Sequence, residues 1–238
     1  MAIVRQMAAV STSLRASEAS GVGGEVVADR EPLPGGGPIT GGGTTGNERL
    51  TAATGALLLA LLAVIGVTLL RLGQMLWVHL FVGMLLIPPV LLKLGSTGYR
   101  FTRYYTGDAA YRRKGPPPAF LRVLAPALIA STLVVFASGV ALLFVGPSSR
   151  GELLPIHKLS FIAWGALAGV HVLAHLPSIP RAFAADYGRP SLSGDVTGRS
   201  GRTLALAGAL VAGVVVAIIV IPQFGPWLHA GASFHHDH

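Results

Sequence analysis

Five long apolar runs dominate the chain: Thr51–Leu70, Met75–Leu94, Phe120–Val145, Leu154–Leu176 and Leu204–Ile221. Each reaches the roughly 18 residues at which an apolar run reads as a membrane span, since a helix rising about 1.5 Å per residue must cross about 30 Å of hydrocarbon. The runs are continuous rather than alternating, so they do not describe the strands of a barrel. In hydrocarbon every backbone N–H and C=O needs an internal partner, and only helices supply one within a single segment. The pattern therefore predicts an all-α integral membrane bundle of five transmembrane helices. In the second run, "IPPV" at Ile87–Val90 removes two backbone donors and predicts a kink.

Polar stretches divide these runs into a cytoplasmic N-terminal tail (1–48), a four-helix core (49–178), a cytoplasmic loop (179–202), a fifth span (203–223) and an outer tail (224–238). The first segment, with "PGGGPITGGGTTGN", is too polar to bury a core, so disorder is expected there. It has no apolar core near its start, which leaves the first span to act as the targeting signal. Basic residues set the orientation. With the N-terminus inside, all but Arg71, Arg150 and Lys158 of the 18 Lys and Arg lie on the inner side. This predicts a multi-pass membrane protein with the N-terminus inside and the C-terminus outside. Trp77 and Trp227 then fall at the outer interface, where indoles prefer to sit. The inner segment "STGYRFTRYYTGDAAYRRKGPPP" reads as a positively charged stretch lying on an anionic leaflet.

Composition narrows the chemistry. The chain is 52% hydrophobic and 12% charged, with a net charge of +8. The basic residues flank the spans instead of gathering in one soluble module, so no nucleic-acid partner is expected. There is no cysteine, which excludes disulfides, thiolate metal sites, iron–sulfur clusters and covalently attached haem. No acidic residue lies in the core of any span, so proton pumping and hydrolysis lack their usual side chains.

Histidine is what the apolar runs do contain. His79 lies about one turn into the second run and His157 about one turn into the fourth. Both runs pass from outside to inside, so the two imidazoles share a depth near the outer face. That is the arrangement of a bis-imidazole haem, whose axial ligands approach from opposite sides. His171 and His175 follow His157 by 14 and 18 residues, which returns both to about the same helical face, some 21 and 27 Å deeper. Gly83 and Gly139 are small residues beside the outer pair, suited to close approach of a flat macrocycle or of another helix. At the C-terminus, His235, His236, Asp237 and His238 form a short run with the composition of a weak divalent-ion site.

The fourth run, "IHKLSFIAWGALAGVHVLAHL", resembles the last core helix of the bacterial cytochrome b561-like superfamily, and "ASGVAL" in the third run is similar to that group's small-residue stretch. The group includes the membrane subunits of formate dehydrogenase and of nickel–iron hydrogenase. In it, two histidines 14 apart on one helix each ligate a different b-type haem. The resemblance covers about residues 50–178. It implies haem b held by His79 and His157, and it places His171 at a second haem. The family's second inner ligand comes from the first helix, whose counterpart here, "GNERLTAATGAL", has no histidine. One haem is therefore expected, with His171 and His175 left for a second haem or a quinone site. Lys93, near the inner end of the second run, reads as a side chain snorkelling to the interface.

The expected function is a membrane cytochrome b relaying electrons between the quinone pool and an outer-face redox protein. The resemblance implies a molybdopterin oxidoreductase as that partner, and an electron-transfer subunit rather than a stand-alone enzyme. The competing reading is a non-redox membrane protein, a small transporter or assembly factor, whose histidines pack or bind metal.

Overall fold

A computed structural model describes residues 43–115, 119–175 and 198–233, and among them there is no strand. Five helical stretches are long and apolar enough to cross a membrane: Gly43–Leu70, Leu72–Tyr105, Ala119–Val145, Leu153–Ala174 and Arg199–Ala230. The helices are α1 (Gly43–Leu70), α2 (Leu72–Leu85), α3 (Ile87–Tyr105), α4 (Ala109–Arg113), α5 (Ala119–Val145), α6 (Leu153–His175), α7 (Arg199–Val220) and α8 (Gly225–Ser233).

The second crossing is α2 and α3 in line. Leu86 between them keeps helical angles (φ −65°, ψ −24°). What fails there is the hydrogen bonding, because Pro88 and Pro89 have no N–H to offer the carbonyls of Met84 and Leu85 one turn earlier. The Leu85 carbonyl meets α7 instead. A Cβ added to Gly213 would stand 2.3 Å from the Leu85 oxygen, so only a glycine lets the α7 backbone rest there. Ala217, one turn further on, is completely buried (0% exposed).

The fifth span thus packs into the bundle, beside the four spans that sequence reasoning grouped as a haem-binding core. Helices α1, α2, α3 and α7 pack on one another, while α5 and α6 form a separate, closely paired hairpin. Phe136, Val140 and Leu143 of α5 join the hairpin to the rest, packing on clusters built from Ile65, Val82, Leu86, Met84, Leu85 and Phe224. Helix α6 leans on α5, and none of its most apolar stretch is buried.

Three boundaries differ from the sequence reading. Helix α1 begins at Gly43, inside the segment expected to be disordered, because its polar first turns find partners. Asn47 Nδ2 donates to the Ser96 carbonyl at 3.1 Å, and Glu48 pairs with Lys114 and, at 3.7 Å, with Arg100. The inner segment after the second span is folded: α3 runs on to Tyr105, and Asp108 caps α4 by accepting from the Ala110 and Tyr111 N–H groups at 2.9 and 3.2 Å. Tyr111 is buried against the edge of Tyr99. Helix α7 starts at Arg199, before residue 203, and much of the outer tail is α8.

Candidate functional site

The chain reverses between α1 and α2 through two residues outside the helical region, Arg71 (φ −138°, ψ 46°) and Met75 (φ −114°, ψ 18°). His79 lies one turn beyond Met75, which returns it to the level of Thr68 near the end of α1. Its Nδ1 is 3.0 Å from the Thr68 hydroxyl, and Thr68 is fully buried. The α5–α6 hairpin turns through Gly146, whose φ of 79° and ψ of 171° only glycine adopts readily. This reversal lays His157 of α6 along α5. His157 Nδ1 is 3.1 Å from both the Val135 carbonyl and the Ser138 hydroxyl.

Gly139 is the seat for that ring. A Cβ there would lie 3.0 Å from His157 Cε1 and 3.4 Å from Nδ1. The small residue expected to admit a macrocycle admits the imidazole instead. Gly83, one turn past His79, has nothing within 4 Å of the position its Cβ would take, so that backbone stays open to a flat group.

The carbonyls beside the two rings give a basis for assigning the ring protons. A carbonyl can only accept, so His157 Nδ1 carries the proton that it directs at Val135. Ser138 gives its own proton to the same carbonyl at 3.1 Å, and can therefore only accept from His157. Thr68 likewise gives its proton to the Ile65 carbonyl at 2.6 Å, and so accepts from His79 Nδ1. A third pair shows the same geometry with a ring nitrogen that has no choice: Trp164 Nε1 donates to Thr132 Oγ1 at 3.0 Å, while that hydroxyl donates to the Leu128 carbonyl at 2.6 Å. This assignment makes both histidines Nδ1–H tautomers, with the lone pair on Nε2. The two rings belong to different spans, His79 to α2 and His157 to α6.

The other residues singled out in the sequence separate from this pair. His157, Trp164 and His171 recur at seven-residue intervals, a stripe that faces α5 where its contacts are seen. His171 is partly buried, but α1, α5 and α7 carry no histidine to oppose it. The side chain of His175 and the run His235, His236, Asp237 and His238 lie outside the described residues. Lys93 does not snorkel outward: its Nζ donates to the Thr51 carbonyl at 2.6 Å and fills the notch left by Gly55. Thr68 was not singled out by sequence reasoning, although a lone hydroxyl in "VIGVTLLRL", just before the turn that leads to His79, was a usable signal.

No family model, curated protein or solved structure matches the chain. Among the described residues, no group of three or more His, Cys, Asp or Glu side chains could hold a metal ion. Two imidazoles fall short of the four ligands of a structural metal site. They suffice where a macrocycle supplies the remaining donors. Two imidazoles on different spans are the number of protein donors that a bis-histidine haem takes.

Proposed function

We propose that this multi-pass protein is a b-type cytochrome that relays electrons across or along a membrane, and that His79 and His157 would hold its one haem. The observation that carries the reading is the matched pair of Nδ1–H imidazoles on α2 and α6, each held by an acceptor on a neighbouring helix. Bound haem would supply one-electron chemistry, and this chain's residues supply its ligation and surroundings. His79 and His157 present neutral Nε2 lone pairs, so no proton must leave when iron binds. Thr68, Ser138 and the Val135 carbonyl hold the rings in orientation. Ile65, Val82 and Phe136 keep the neighbourhood apolar.

The basic asymmetry of the sequence supports placing this site at the outer face, with the N-terminus inside. The quinone pool is then the source or sink within the bilayer, and an outer-face redox subunit is the exchange partner. The resemblance of the fourth span to the b561-like group favours a molybdopterin oxidoreductase in that role. The test is a reduced-minus-oxidised spectrum of the purified full-length protein with haem quantified per chain. A sharp low-spin b-type signal supports the proposal, and protein without a Soret band after expression with ample haem refutes it.

A further inference from the structure

We infer that Thr68 and Ser138 are positioning residues that set the donor strength of the two axial imidazoles unequally, with Thr68 the dominant control. This rests on the cytochrome reading above. Each hydroxyl spends its own proton on a carbonyl of its own helix, Thr68 on Ile65 at 2.6 Å and Ser138 on Val135 at 3.1 Å. Each therefore meets its imidazole as an acceptor and cannot rotate into a donor without abandoning that carbonyl. An acceptor at Nδ1–H makes Nε2 a more basic ligand, which favours the oxidised metal. The two sites differ in how much they lose when the hydroxyl is removed. His79 has Thr68 as its Nδ1 partner. His157 has two, and the Val135 carbonyl remains when Ser138 is gone.

The consequence is an ordered series. Thr68→Val preserves shape and removes the acceptor, so the haem midpoint potential should rise and the oxidised protein's electron paramagnetic resonance should change. Thr68→Ser restores the acceptor and should return both to wild-type values. Ser138→Ala should move the potential the same way by a smaller amount. A purely structural role for Thr68 would lower stability without this ordering or the rescue by serine. The measurements are redox titrations and low-temperature spectra of the full-length protein carrying haem. A second reading needs no cofactor. In the haem-free protein, 15N spectra of labelled histidine should show Nδ1 protonated at His79 and His157, and Nε2 protonated at His79 in Thr68→Val should become detectable. Wild-type protein that binds no haem refutes the cytochrome reading. Haem-loaded Thr68→Val with an unchanged midpoint, or wild-type rings protonated at Nε2, refutes this inference and leaves that reading standing.

Discussion

The two ends of the bundle both bury polar side chains among apolar helices, and they do so to opposite effect. At the end holding Lys93, polar groups close on one another across α1 and α3. Lys93 Nζ bonds to the Thr51 carbonyl, Thr51 Oγ1 to Ser96 Oγ at 3.0 Å, Ser96 Oγ to the Lys93 carbonyl at 3.0 Å, and Asn47 Nδ2 to the Ser96 carbonyl. Asn47 Oδ1 is buried there without a partner. At the end holding His79 and His157, the hydroxyls and carbonyls consume one nitrogen of each ring and leave the other as a lone pair. The first arrangement fastens two helices together. The second fastens two rings and keeps a valence open on each. A histidine in an apolar span is a candidate for function when its neighbours hold one ring nitrogen and leave the other over.

The sharpest break in this contrast is at the two proposed ligands. His79→Ala or His157→Ala should abolish the low-spin haem signal, whereas Lys93→Met should leave it intact, as visible and electron paramagnetic resonance spectra of the purified variants would show. At the Lys93 end the expected loss is in stability, about 1 kcal/mol for one interhelical hydrogen bond in a membrane protein, read as a lower midpoint in denaturant unfolding. The glycines divide the same way. Gly139→Ala must push the His157 ring aside, since its Cβ would sit 3.0 Å from Cε1, so its spectrum should broaden or shift. Gly83→Ala meets no protein atom, so the haem-free protein should unfold as the wild type does, and weaker haem retention would mark that open backbone as part of the pocket. The smallest effect is expected at His171: the Ala variant should keep its haem count and low-spin spectrum, because no histidine on α1, α5 or α7 opposes it.

Much of the fold was legible because membrane insertion leaves few options. Continuous apolar runs gave the five spans, and Pro88 and Pro89 gave the break between α2 and α3. The part played by α7 was not legible, since nothing in the sequence shows that Gly213 meets the very carbonyl that Pro89 leaves without a donor. Polar partners also escaped. Gly43–Glu48 looked too polar to be ordered, and only the positions of Ser96, Arg100 and Lys114 on other segments explain why α1 starts there. At the site, helical spacing led to the expectation that His79 and His157 share a level. Their tautomers depend on Thr68, Ser138 and a backbone carbonyl, and a carbonyl's direction has no trace in sequence. Gly139 was singled out as a small residue beside the outer pair, and its neighbour is the His157 ring.

The most direct test of the central claim is haem content and spectrum measured together on the intact wild-type chain. The account expects one haem b per chain, low-spin in both oxidation states, with a single redox midpoint. Protein free of haem would contradict the function, and two haems per chain with two midpoints would contradict the contrast between the ends, since the Lys93 end would then hold a ligand set that its closed hydrogen bonds do not provide.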